Sequence, residues 1–84
     1  MSSPEFSLLR LRVVADADPA ALVGVLQRFQ NLNVLPRRVF AELGIAGSIH
    51  IEVDIGDLSP EMLTMIAEKL LQNPCVENAF WYPA

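Results

Sequence analysis

The strictest pattern in the chain is an alternation over residues 48–55, and it limits the fold more than any other feature. The apolar side chains of Ile49, Ile51, Val53 and Ile55 alternate there with polar ones. A period of two predicts a β-strand that buries one face and leaves the other in water. Such a strand belongs to a sheet covered on one side only, which favours an antiparallel sheet with helices on a single face.

Three other segments are predicted strands, at residues 6–14, 34–43 and 75–82. In the first, leucine and valine side chains share one face and two arginines share the other. Pro36 lacks an N–H for the ladder, so the second strand lies at an edge or starts after this residue. The segment 44–47, which has a glycine at each end, predicts a hairpin to the alternating strand.

Two helices separate these strands, and each opens with a capping residue followed by proline. The two pairs are Asp18-Pro19 and Ser59-Pro60. In each, the side chain of the first residue can accept a hydrogen bond from a backbone N–H of the first helical turn, and the proline has no N–H that needs an acceptor. Apolar residues then recur at helical spacing and predict two buried stripes, Leu22, Val25, Leu26 and Phe29 in a helix over residues 19–30, and Leu63, Ile66, Ala67 and Leu70 in the second helix.

The order of elements is β-α-β-β-α-β, with a hairpin in the middle and a helical crossover on each side. Right-handed crossovers then give a ferredoxin-like α+β domain over residues 1–84, with a four-stranded antiparallel sheet and two helices on one face. The first and third strands are central neighbours and the second is an edge. The open face is therefore predicted to hold five charged or titratable side chains: Arg10, Arg12, His50, Glu52 and Asp54.

Composition excludes several classes of function. The net charge of −4 disfavours nucleic-acid binding, because phosphate backbones are repelled. No apolar run approaches the roughly 20 residues of a membrane span. Cys75 is the only cysteine, which rules out an internal disulfide and suits a reducing compartment such as the cytoplasm. The lone His50 has no second histidine or cysteine for a metal site or a nucleophilic pair, so we expect no enzyme activity, metal or cofactor.

Related chemistry on the same fold is also disfavoured. The first loop, Asp16-Ala17-Asp18, has neither the paired cysteines of soft-metal carriers nor the arginine of a phosphate cradle. The open-face positions of the third strand, among them His50 and Glu52, lack the aromatic residues on which RNA bases stack. Function must therefore be argued from other sites on the fold.

From Leu8 to Trp81 the chain resembles the ACT family of regulatory domains, which sense small molecules in amino-acid metabolism. The resemblance also extends to the small regulatory subunit of acetolactate synthase. The segments that carry it are Val13-Val14, Asp18-Pro19-Ala20-Ala21-Leu22, the helix closing near Phe29, Asn33-Val34 and Ile49-His50-Ile51-Glu52-Val53.

This resemblance implies an effector site where two domains pair side by side. The implied ligand-binding positions are Asp16, Ala17, Asp18, Ala20, Ala21, Leu22 and Leu35. Ala17 and Leu35 each take the place of an asparagine of the family, and Ala20 takes the place of a glycine. Asp16 and Asp18 would repel a carboxylate, so a cationic ligand, or none, fits this loop better.

Aromatic residues indicate a surface for association. Phe80 and Trp81 are adjacent in a predicted strand, so they cannot both face the core. Phe40 shares the open face with Arg38, and exposed aromatic residues are typical of interfaces. We expect an interface that includes Arg38, Phe40 and Trp81. The expected partner is a second copy of the chain in a homodimer. The alternatives are a larger biosynthetic enzyme, such as acetolactate synthase, on which the chain docks as a subunit, or an interaction module without a ligand.

Overall fold

A computed structural model describes residues 8–56 and 58–83 and confirms the predicted order of elements. The helices and strands are β1 (Leu9–Asp16), α1 (Pro19–Asn31), β2 (Arg38–Leu43), β3 (Ser48–Ile55), α2 (Pro60–Leu71) and β4 (Val76–Pro83). The predicted start of the first strand, at Phe6 and Ser7, lies outside the described residues. In the described part of the chain, neither helix is long and apolar enough to span a bilayer.

The four strands form one antiparallel sheet in the order β2-β3-β1-β4. The first and third strands are central, as predicted, and β2 is an edge. In the register between them, Arg10 is opposite Asp54 and Arg12 is opposite Glu52. Because neighbouring residues on paired strands point to the same face, the predicted open face with its charged side chains is confirmed.

The core lies between the helices and the central strands. Its buried side chains alternate along β1 and β3 and recur at helical spacing in α1 and α2; they are Leu11, Val13, Ala15, Ala21, Val25, Phe29, Ile51, Val53, Ile55, Ile66, Leu70, Val76 and Ala79. The alternation found in the sequence therefore marks the buried face of the sheet.

Both helices start as predicted. The Asp18 carboxylate accepts a hydrogen bond from Ala20 N at 2.9 Å, and the Ser59 hydroxyl accepts one from Met62 N at 3.2 Å. Each cap is followed by a proline in the first turn. At the other end of α1, Asn33 has a φ of 57°, in the left-handed region that closes many helices.

Two predictions about the elements are wrong in detail. The stripe of α1 is shifted, since Ala21 is buried while Leu26 is 38% exposed. The second strand begins at Arg38 and not at residue 34, because Val34 N donates to Phe29 O at 2.9 Å and so belongs to the end of the helix. Pro36, which has no N–H to donate, lies in the same connection.

The packing of α1 provides a matched test of the core. Val25 is fully buried and Val23, two residues away on the same helix, is 59% exposed. We expect Val25→Ala to lower the free energy of unfolding by about 2 kcal/mol, because it removes buried methyl groups and leaves a cavity. Val23→Ala has the same effect on helix propensity without a cavity, and should stay within about 0.5 kcal/mol of wild type. Urea denaturation of both variants measures the difference, and equal losses would contradict this packing.

Candidate functional site

The loop between β1 and α1, where the resemblance implies a ligand, is joined to two other loops by backbone hydrogen bonds. Asp16 N donates to Cys75 O at 2.8 Å, and Ala17 N donates to Gly47 O at 2.9 Å. The loop thus connects to the segment before β4 and to the β2–β3 hairpin. These three connections form one end of the domain.

The N–H groups at the start of α1 are already engaged within the chain. Ala20 N donates to the Asp18 carboxylate, Ala21 N donates to Asp18 O at 2.9 Å, and Pro19 has no N–H. Asp18 N donates to Asp16 O at 2.8 Å. A carboxylate at this loop would have to displace these bonds, and it would also face the exposed side chains of Asp16 and Asp18. The loop is therefore unsuited to an anionic ligand.

The predicted ligand-binding residues do not all come together in one chain. Asp16, Ala17, Asp18 and Ala20 are exposed at the loop, whereas Ala21 is buried in the core and Leu22 is half-buried. Leu35 lies beyond the other end of α1, a helix of 13 residues that spans about 20 Å. Within a single chain, Leu35 is thus separated from the other predicted positions.

An apolar groove lies beside Leu35, between the end of α1 and the start of β2. It has a volume of about 460 Å³ and is lined by Leu26, Phe29, Gln30, Asn33, Val34, Leu35, Pro36 and Val39. Leu35 is 89% exposed and Val39 is 43% exposed. The groove exists because the helices leave the edge strand uncovered. The sequence predicted Leu35 as a site residue but not the groove, although the apolar run Val34-Leu35-Pro36 directly after a helix is a signal for it.

The open face of the sheet holds a compact network of ion pairs. Arg10 binds Asp54 through two hydrogen bonds, from Nε at 2.7 Å and from Nη2 at 3.0 Å, and Arg38 Nη1 lies 3.5 Å from the same carboxylate. The hydrogen bonds from Arg10, together with the positive charge of both arginines, lower the pKa of Asp54. The bond to Asp54 in turn raises the pKa of Arg10 above its ordinary value. Asp54 is 5% exposed, so its charge is compensated where it is buried.

His50 and Glu52 complete this network. Arg12 Nη1 lies 3.4 Å from Glu52, and Arg12 Nη2 lies 3.1 Å from His50 Nδ1. A guanidinium only donates, so Nδ1 is the atom of His50 that can accept in this contact. Among the described residues, no group of three or more His, Cys, Asp or Glu side chains is arranged to hold a metal ion. The network serves to neutralise the open face.

The predicted interface residues lie in two places. Arg38 and Phe40 are on the edge strand, where the guanidinium carbon lies 5.2 Å from the ring centroid of Phe40, a cation–π distance. Trp81 instead faces the helices. Its ring packs edge-to-face on Phe29 at 6.5 Å, and its Nε1 donates to Leu63 O at 2.8 Å. Phe80 takes the open-face position, 41% exposed, in line with the prediction that only one of this adjacent pair faces the core.

Three solved structures share this arrangement of strands and helices over nearly their whole length. The ACT domain of GTP pyrophosphokinase from Chlorobium tepidum has a TM-score of 0.76 at 14% identity, covering 92% of this chain and 99% of that one. The C-terminal domain of the MgtC protein from Mycobacterium tuberculosis has a TM-score of 0.79 at 16% identity, covering 100% and 94%. An uncharacterized protein from Thermotoga maritima has a TM-score of 0.72 at 15% identity, covering 94% and 98%.

These comparisons define the class of the domain by its fold. The chain has an ACT-like ferredoxin fold, as the resemblance of its sequence segments implies. No protein-family model matches it, and no curated protein matches its sequence significantly. At this level of identity the likeness extends to the fold alone.

The Asp54 ion pair makes a testable contribution to stability. We expect Asp54→Asn to lower the free energy of unfolding at pH 7 by about 1–2 kcal/mol, because it leaves Arg10 without its charged acceptor. Glu52→Gln is the matched control. Its contacts are longer and its side chain more exposed, so its loss should be well under 1 kcal/mol.

The pH dependence of the free energy of unfolding, compared between wild type and Asp54→Asn, gives a second measurement. The pKa of Asp54 in the folded chain lies below the unfolded value of about 3.9, so the pair stabilises fully above that pH and is lost as pH falls through the folded-state pKa. The stability gap between wild type and Asp54→Asn should hold above about pH 5 and close at lower pH. A gap independent of pH in urea titrations would contradict this assignment.

Proposed function

We propose that this chain is a non-catalytic, ACT-like regulatory domain that acts as a cytoplasmic homodimer. The observation that carries the proposal is the edge strand β2. All six of its residues are exposed, and Val39, Phe40 and Leu43 are large apolar residues among them. An exposed edge strand with apolar side chains is a template for pairing with another strand.

The hydrogen bonds of β2 show which groups are available at that edge. Gly44 N donates to Ser48 O at 2.8 Å, in line with the register that places Phe40 opposite Glu52. Since hydrogen-bonding groups alternate between the two sides of a strand, the even-numbered residues of β2 bond to β3. The N–H and C=O groups of Val39, Ala41 and Leu43 therefore face outward.

Antiparallel pairing of two β2 strands would extend the two sheets into one of eight strands. The closed symmetry of such a dimer suits a self-complementary edge. Both pairs of helices would lie on the same face of the extended sheet. The start of β2 at Arg38 supports this geometry, because Pro36 then lies outside the paired segment.

This dimer also suggests how a small-molecule effector of amino-acid metabolism would be held. Antiparallel pairing brings the β1–α1 loop of one protomer toward the Leu35 end of its partner. The positions that one chain keeps about 20 Å apart would then meet across the interface. The exposed carboxylates of Asp16 and Asp18 favour a cationic group, and the exposed Leu35 favours an apolar one.

A second candidate function is that of a regulatory subunit that docks on a larger biosynthetic enzyme. It is favoured by the opposite edge of the open face, where the Phe80 and Tyr82 rings are 5.8 Å apart and Phe80 is 41% exposed. Copurification of one defined enzyme with the tagged chain, lost in Phe80→Ser but kept in Phe40→Ser, would support this alternative. Loss in neither variant would count against docking at this surface.

Substitutions at one residue of the edge strand, Ala41, test the proposed homodimer. Ala41→Pro removes an outward N–H and leaves the β2–β3 bonds intact, so we expect the mass in light scattering to fall from twice 9.3 kDa to 9.3 kDa. Ala41→Ser keeps the N–H and should remain dimeric. Circular dichroism of both variants should match wild type. A wild-type chain that is monomeric at high micromolar concentration would refute the homodimer.

A further inference from the structure

We propose that, in this homodimer, Leu43 of each protomer covers the apolar groove of the other, in a register that places Ala41 opposite its own copy. This inference rests on the proposed function, because it specifies how the two β2 edges meet. It assigns an occupant to the groove and gives a role to Leu43, which is 72% exposed in the single chain.

The orientation of the side chains supports the first step. Val39, Ala41 and Leu43 are opposite Val53, Ile51 and Ile49 on β3. Val53 and Ile51 are buried under the helices, so the three β2 side chains point to the helix side of the sheet. Val39 forms one wall of the groove on that side. A neighbouring strand would place its own side chains next to Val39.

The register follows from counting the outward groups. Three residues of each β2 present N–H and C=O groups at the edge. A single antiparallel register pairs all three with all three, with Ala41 opposite the partner's Ala41 and Val39 opposite the partner's Leu43. Shifting the pairing by two residues in either direction leaves one of these three outward-facing residues opposite the connection before β2 or the hairpin after it. The register with most ladder hydrogen bonds is thus also the one that brings Leu43 of the partner subunit to the groove.

Charges on the other side of the sheet agree with this register. Phe40 would lie opposite the partner's Glu42, and Arg38 would lie diagonal to the same residue, within reach of a long side chain. Among the described residues, Glu42 has no ion-pair partner in its own chain, whereas Arg38 lies 3.5 Å or more from its acidic neighbours. The two-fold axis would form the same opposite-charge pair a second time, between the partner's Arg38 and Glu42 of the first protomer.

The partner's hairpin adds further apolar surface. In this register, residues 44–47 of one chain run beside the connection that contains Leu35 and Pro36 in the other. Ile45 at the hairpin tip is 90% exposed, and Leu35 is 89% exposed. Both of these exposed apolar residues would then lie at the same interface, which argues for a second copy of this chain as the occupant of the groove.

Disulfide trapping tests the register. In a Cys75→Ser background, the double variant Val39→Cys, Leu43→Cys should oxidise to a covalent dimer, because directly opposite residues have Cα atoms about 5.5 Å apart, within disulfide range. Within one chain the two positions are about 13 Å apart and cannot bridge. Each single variant should stay monomeric on a non-reducing gel, since like positions would be about 13 Å apart across the interface.

The outcomes separate this inference from the proposed function. A covalent dimer from Leu43→Cys alone or Val39→Cys alone, with a dimeric wild type in light scattering, would overturn the register while the homodimer stands. A monomeric wild type would remove both. A dimer in which none of the cysteine variants cross-links would place the interface elsewhere and overturn the inference.

A second variant tests the groove directly. Leu43→Lys should weaken dimerisation by about tenfold or more, because it puts a charge where an apolar side chain is buried on association. Leu71→Lys is the matched control, since Leu71 is 45% exposed on α2, the helix that packs on β4 at the opposite side of the sheet from β2. Its dissociation constant in sedimentation should be unchanged. Equal weakening by the two substitutions would overturn the proposal.

Discussion

The two helices of this domain leave the edge strand β2 uncovered, and the rest of the structure depends on this arrangement. The buried residues of the sheet lie on β1, β3 and β4, while every residue of β2 is exposed. A domain of this size buries a limited share of its surface, so the core is concentrated where the helices lie. The edge strand is then held to the domain by its ladder with β3. Its apolar helix-side surface remains available to a partner.

The open face of the sheet contains a buried charge that its neighbours must compensate. Asp54 is buried on this face between Arg10 and Arg38, and its charge would be costly there without compensation. Arg10 binds it with two short hydrogen bonds and Arg38 approaches from the edge strand. Arg38 therefore connects the charged centre to the edge, where it also lies over the Phe40 ring. The face is neutralised internally, which leaves the strand edges and their aromatic residues as the surfaces suited to association.

The sequence predicted those parts of the fold that depend on local pattern. The alternation in β3 and the two cap–proline pairs are local, and the structure confirms them. The stripe of α1 was misplaced because periodicity favours large apolar residues. Ala21 is buried, whereas the larger Leu26 lines the groove beside the uncovered edge strand. Trp81 shows the same limit, since its hydrogen bond to Leu63 O depends on where α2 lies against β4.

The candidate site was harder to predict, since it depends on contacts between distant loops. Nothing in Asp16-Ala17-Asp18 shows that Ala17 N is bonded to Gly47 O, yet this bond takes a donor that a ligand would need. It also fixes the β2–β3 hairpin, since Gly47 lies at its tip and Gly44 closes it through Ser48. Leu43 is the residue before that closure. Through the bond from Ala17 N to Gly47 O, the loop at which the resemblance implies an effector braces, in this chain, the hairpin that follows the edge strand β2.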